Sequence, residues 1–247
     1  MAKLYNGFPI TDAGNPAPGA SAQRPDDDQC SARELGCLGP FSAAQLACGQ
    51  PSATVKTVQS YISKLKADGA PGPNGLPAGV FKSASLVWAK ILSPLFNTCI
   101  YSGTIPDSWH GSILFPILKS GDPTVPKNYR LIALLDLDAK LYARVLLDEL
   151  ESWITDHNLL PCTETGFRKG ASTVDSIIAL SAIRDQALHF KKLPCYCCFI
   201  DYSAAFDRVN RGKLWSKLYR WGIPSRLLNA IAELYSNTWV KVKIGPT

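Results

Sequence analysis

FIDYSAAFD, residues 199 to 207, is the stretch on which the reading of this chain turns, because it places a carboxylate directly behind an apolar run. Cys195 to Ile200 (CYCCFI) is short, apolar and free of glycine, which predicts a buried strand, and Asp201 follows where the chain leaves the sheet. A carboxylate at that point costs several kcal/mol to bury unpaired, so it is solvated, caps a helix or holds a cation. Hard divalent cations take oxygen ligands, often one or two carboxylates together with substrate phosphates. In two-metal sites the ions lie roughly 3.5 to 4 Å apart and clamp an in-line phosphoryl displacement. Asp201 alone cannot do this.

The nearest second carboxylate is Asp207, six residues on, across a segment (YSAAF) that reads as the first turns of a helix. Positions six apart point to different sides of a helix, so the two do not share one ion. Asp207 is read as structural, paired with Arg208 or Arg211 or capping the helix that follows.

Working outward, the periodicity predicts a mixed α/β layout, an α+β fold. Val55, Val58, Tyr61, Ile62 and Leu65 recur at helical spacing after Ser52, which can cap, and Gly69 ends the run. A longer helix is expected over about 77–101, interrupted near Pro94. Residues 112–118 and 131–135 read as strands, 138–154 and 173–190 as helices. Beyond the Asp201 strand come helices at about 212–221 and 225–237, then a strand over 239–244. The first fifty residues differ in kind, with runs such as GNPAPGASAQ and PDDDQ, and read as a disordered leader or linker with a short helix near 42–48.

The chain carries 26 Lys and Arg against 20 Asp and Glu, a net charge of +6. Residues 1–50 hold three basic and five acidic side chains, which leaves residues 51–247 at +8. An acidic leader on a basic body suggests contact with phosphate. The eight cysteines do not form a zinc pattern: Cys30, Cys37 and Cys48 lack paired spacing, and Cys195, Cys197 and Cys198 lie in the apolar run, where they read as small buried hydrophobes. His110, His157 and His189 are scattered and read as surface or edge residues. No secretory signal and no membrane-length apolar stretch is found, which points to a reducing nuclear or cytoplasmic setting.

Seven strings in register over about 180 residues carry a resemblance. They are GPNGLP (72–77), GTIPDSW (103–109), PILKSGD (116–122), NYRLIALL (128–135), GFRKGAST (166–173), FIDYSAAFD, and GIPSRLL (222–228) with Leu234 and Tyr235. From about Lys66 to Gly245 the chain resembles the front half of a reverse transcriptase of a non-LTR, LINE-type retrotransposon. The resemblance implies an RNA-directed DNA polymerase of the right-hand type. Residues 51–194 would be fingers and N-terminal palm helices, and 195–247 the start of a palm.

Asp201 then matches the first metal-binding Asp of the family, and Phe206 the aromatic under the incoming sugar that rejects a ribose 2′-hydroxyl. Lys119 and Arg130 match basic finger positions that contact the triphosphate, for which Arg is a fork-shaped donor and Lys a mobile point charge. The bland alternatives are a core phenylalanine for Phe206, a solvated loop lysine for Lys119 and a snorkelling arginine at a strand edge for Arg130. The implied cofactor is Mg²⁺ or Mn²⁺, the substrate a dNTP, and the partners an RNA template and a DNA primer whose 3′-hydroxyl attacks the α-phosphate.

Three positions depart from the family pattern. Asn74 stands where GPDG has Asp, Leu131 replaces the Pro of NYRPI, and Glu164 replaces a Gln before GFR. The family's second metal motif, an aromatic followed two residues later by a pair of Asp, is expected tens of residues beyond Ile244. The expectation is therefore a fragment that polymerises nothing alone. The alternatives are a non-catalytic nucleic-acid-binding module derived from a retroelement, and an unstable remnant with an open sheet edge.

Overall fold

The computed structural model describes residues 52–243. Of these, the residues within Met1–Glu151 and Asn210–Thr247 form one compact unit and Ser152–Val209 a second.

The first unit begins with helix α1, Val55–Lys64, followed by α2, Ala78–Ser83, and α3, Ser85–Ser102. The α1 cap is Thr54, whose hydroxyl accepts the Thr57 N–H at 3.1 Å, and not Ser52 as the sequence suggested. The expected long helix is two helices, and the break lies at Ala84 (φ −131°), not at Pro94, which is carried inside α3. Pro94 is exposed, and so is Lys90, whose carbonyl the ring leaves without an N–H. At the true break, Trp88 stacks on Phe81 with centroids 4.7 Å apart and donates its indole N–H to Val80 O at 3.1 Å. Asn97 of α3 exchanges two hydrogen bonds with the Ala53 backbone, at 3.0 and 2.8 Å, and Ser93 Oγ adds a third at 2.6 Å. The start of α1 is thereby bolted to α3.

Next come a single turn, Asp107–His110, strand β1, Gly111–Leu118, and strand β2, Tyr129–Leu135. Helix α4 runs over Leu137–Asp156; α6, Arg211–Arg220, and α7, Ser225–Glu233, lead to strand β3, Trp239–Val242. The sheet order is β2-β1-β3. β1 and β2 are antiparallel, with Ile117 opposite Arg130, while β3 joins β1 in parallel, with Gly111 opposite Trp239. Helices and a mixed three-stranded sheet make the α+β class that the periodicity predicted.

The core is aromatic at its centre. Phe96, Trp109 and Tyr142 meet with centroids 5.8, 5.5 and 5.1 Å apart, and each is at most 3 % exposed. Such side chains contribute about 2–3 kcal/mol each by burial, and their pairs about 1 kcal/mol more. Trp109 also donates its indole N–H to Asp138 at 2.9 Å, which explains why the string GTIPDSW ends on a tryptophan. Val58, Ile62, Leu141, Leu146, Leu218 and Leu227 are buried as well.

The second unit contains helix α5, Thr173–Asp185, extended by a wider turn, Gln186–Phe190. The rest is irregular, and no residue from 152 to 209 is buried. Cys195–Ile200 forms no strand; Phe199 is 83 % exposed, Cys197 and Cys198 are exposed and Cys195 half-buried. The YSAAF segment is a set of turns, not a helix start, because Ala204 adopts φ +53° and ends any helical run there.

Candidate functional site

Lys119 and Arg130 belong to the first unit. Lys119 follows β1, and its N–H donates to Asn128 O at 2.8 Å, which carries the β1–β2 ladder one step beyond the last strand pair. Since Ile117 faces Arg130, Lys119 and Arg130 are diagonal neighbours on one face of the ladder, about 7–8 Å apart in ordinary sheet geometry. Both are exposed, and neither has a carboxylate partner among the described residues.

The loop they flank is built to a fixed shape. Asp122 accepts the Thr124 N–H at 2.8 Å and its hydroxyl at 2.7 Å, Asn128 Nδ2 donates to Asp122 O at 2.9 Å, and Tyr129 OH to Pro123 O at 2.9 Å. The two bonds from Thr124 hold the Asp122 carboxyl below the usual range. Gly121 supplies the left-handed turn, φ +86°, in the KSGD string. Two cations thus stand at the base of an internally bonded loop, a suitable cradle for an anion with several charged oxygens.

Asp201 and Phe206 belong to the second unit. Asp201 is exposed and makes no hydrogen bond or ion pair among the described residues. Phe206, 78 % exposed, meets Phe167 of the GFRKGAST string edge to face, centroids 5.8 Å apart. Phe206 is therefore not the core residue that its bland alternative required. Asp207 neither pairs with Arg208 or Arg211 nor caps α6. Asn210 caps it, its side chain accepting the Lys213 N–H at 2.9 Å, and Arg211 lies over the Tyr235 ring at 5.1 Å.

Among the described residues no three His, Cys, Asp or Glu side chains gather where they could hold a metal ion. Glu164 turns inward on its own loop, where Oε1 accepts the Gly166 N–H at 2.9 Å. Asn74 forms a local turn with Leu76 N–H at 3.0 Å.

One feature had no signal in the sequence. Asp136, between β2 and α4, is only 2 % exposed and accepts the Asn74 N–H at 2.9 Å. Burial pushes its carboxyl up, against the opposing effect of that hydrogen bond. A Cβ on Gly72 would lie 2.4 Å from Asp136 N, so the GPNG string closes directly onto the end of β2. Asn at position 74 also keeps a second carboxylate away from this desolvated one.

A profile described as "Reverse transcriptase (RNA-dependent DNA polymerase)" matches residues 117–245, which include Lys119, Arg130, Asp201 and Phe206. The chain belongs to this family. It is 30 % identical over 165 residues to the "Probable RNA-directed DNA polymerase from transposon BS" of Drosophila melanogaster, covering 66 % of this chain and 18 % of that protein. To the "RNA-directed DNA polymerase from mobile element jockey" of Drosophila funebris it is 26 % identical over 204 residues, 82 % of this chain and 22 % of the relative. To the "Probable RNA-directed DNA polymerase from transposon X-element" of Drosophila melanogaster it is 28 % identical over 155 residues, 62 % and 17 %. The chain thus spans about a fifth of the length of these relatives. The reverse transcriptase domain of a non-LTR retrotransposon, inferred from seven short strings, is the family these matches show. Among the described residues no helix is long and apolar enough to cross a membrane.

Proposed function

We propose that this stretch is the nucleotide- and template-facing front of a retrotransposon reverse transcriptase, an enzyme of RNA-templated DNA synthesis. Residues 51–194 are assigned to fingers and N-terminal palm helices, 195–247 to the start of the palm, and 1–50 to a linker that lies outside the described residues. The observation that carries the reading is the β1–β2 loop, which sets Lys119 and Arg130 on one face of a fixed turn inside the family match. They offset charge on the triphosphate of an incoming dNTP; Phe206 sets deoxyribose preference by crowding a 2′-hydroxyl. Asp201 supplies one carboxylate of a set that would hold Mg²⁺ or Mn²⁺ with carboxylates from elsewhere. The partners are an RNA template and a DNA primer, and the setting is the nucleus or cytoplasm.

The test is a chimera in which residues 117–245 replace the matching segment of the jockey polymerase. It should incorporate dNTPs on a primed RNA template. Asp201→Ala should cost at least about a thousandfold, as loss of one member of a catalytic unit does. Equal incorporation with and without Asp201 would refute the assignment.

The second reading, a nucleic-acid-binding module without catalysis, is favoured by the charge of +8 on residues 51–247. On either reading the 247 residues expressed alone bind nucleic acid and incorporate nothing. Incorporation that Asp201→Ala abolishes would overturn that expectation.

A further inference from the structure

Helix α6 carries a row of cations that the roles assigned above leave unused. From Arg208 to Ala232 the chain has six Lys or Arg and no acidic residue. Within α6, Lys213, Lys217 and Arg220 stand at i, i+4 and i+7, one stripe along one face, and all three are exposed. The opposite face is spent on the core, where Trp215 and Leu218 are 7 % and 8 % exposed.

This arrangement works against the helix that bears it. Like charges one turn apart repel, and no carboxylate on α6 separates them. Among the described residues none of the three has an ion-pair partner. A helix dipole favours cations in the last turn, which accounts for Lys217 and Arg220, but it disfavours them in the first turn, where Lys213 stands. Folding gains nothing from Lys213 at that place, whereas an anion lying along the stripe uses all three.

Charge and length suit a polyanion. Lys213 to Arg220 spans about 10 Å at the helical rise, a length over which a nucleic-acid strand presents successive phosphates rather than a single one. A lipid surface is a poorer fit, because the apolar face that would enter it is already buried in the core.

We infer that the Lys213–Lys217–Arg220 face of α6 is a binding surface for the backbone of single-stranded RNA. The surface is separate from the triphosphate-facing pair Lys119 and Arg130. The inference rests on the reverse transcriptase reading and adds to it a track outside the residues that face the nucleotide.

The experiment measures binding of the full chain to a labelled single-stranded RNA by fluorescence anisotropy across a salt series. The triple change Lys213→Gln, Lys217→Gln, Arg220→Gln is compared with Lys56→Gln, Lys64→Gln, Lys66→Gln, which removes the same charge from exposed positions on and just beyond α1. At a salt slope of about 0.7 per phosphate, losing three contacts should flatten the slope by about 2 and weaken binding about a hundredfold at roughly 0.1 M salt. The α1 change should do much less. Lys213→Arg with Lys217→Arg should retain binding, which separates lost charge from a misfolded helix.

Equal losses in the two triple variants would overturn the stripe while leaving the reverse transcriptase reading intact. So would a stripe variant that loses affinity for anionic phosphatidylserine vesicles but not for RNA. A chain that binds no RNA at low salt would overturn both readings.

Discussion

Gly72→Ala tests whether the GPNG loop closes on the end of β2 as described. The added Cβ would meet Asp136 N at 2.4 Å, Asp136 Oδ1 at 2.5 Å and Leu135 C at 2.5 Å. Two of these are backbone atoms at the β2–α4 junction, so no side-chain rotation relieves the overlap. The loop must retreat by about 1 Å to reach ordinary contact, and retreat lengthens the 2.9 Å bond from Asn74 N–H to a carboxylate that has little water to replace it. Overpacking costs about 1–3 kcal/mol, and a buried acceptor losing its donor about 1–3 kcal/mol. The two give a loss of about 2–5 kcal/mol, because one movement trades part of the first against the second. Urea unfolding followed by the fluorescence of buried Trp109 reads this as a midpoint lower by about 1–2.5 M at a slope near 2 kcal/mol/M. Gly79→Ala is the control: it lies in α2 with nothing within 4 Å of the new Cβ, and should stabilise by about 0.5–1 kcal/mol. If Gly72→Ala unfolds within about 0.5 kcal/mol of the parent, or moves with the control, the close approach is wrong.

Two further expectations concern titration. Asp136→Asn keeps an oxygen for the Asn74 N–H and removes a desolvated charge; because burial raises the Asp136 pKa, the folded state holds a proton that the unfolded chain has released. Stability from this group therefore falls as pH rises from about 3.9 toward the folded value and is level above it. The variant should match or exceed the parent at neutral pH and lack that fall; a parent-minus-variant stability curve that is flat from pH 3 to 7 would contradict the assignment. Tyr61 donates its hydroxyl to Asp148, and burial first, then that bond, pushes its pKa up to about 12. The stabilisation is complete below about pH 10 and lost as pH climbs toward 12. Buried Tyr142 is also pushed up, so an ultraviolet titration should find more than one late-ionising tyrosine, of which Tyr61→Phe removes one; an unchanged curve in Tyr61→Phe would refute the contact.

How much was legible in the sequence depended on where each element's partners lie. β1 and β2 are joined by a ten-residue turn rich in Gly, Asp, Pro and Asn, so composition and alternation locate both, whereas the diagonal placement of Lys119 and Arg130 comes only with the register of the folded ladder. α4 was read to within two residues at each end because its apolar positions repeat along one face. The α2–α3 break does not fall at Pro94, which sits on the exposed side of α3, but at Ala84, where Phe81 and Trp88 pack across it, a contact between side chains that no local breaker residue signals. The Cys195–Ile200 run misled most. Apolar composition is a statement about burial, whereas a strand exists only through a ladder with a neighbour, and no described residue pairs with this one. Asp201 is thus singled out by motif alone, and the strand end expected to carry it does not form. Asp136 was invisible because burial of a lone carboxylate at a strand end depends on a loop about 60 residues earlier in the chain.

The parallel pairing of β3 with β1 also bears on how the chain is made. Their partners Gly111 and Trp239 are about 130 residues apart, so at about 5–20 residues per second a ribosome leaves that side of β1 without its neighbour for roughly 6–26 seconds. The β1–β2 hairpin can form at once, and the opposite edge of β1 then waits with its backbone groups open to any passing strand. A chaperone that shields nascent apolar strands should raise the soluble yield of this chain more than a change of induction temperature does.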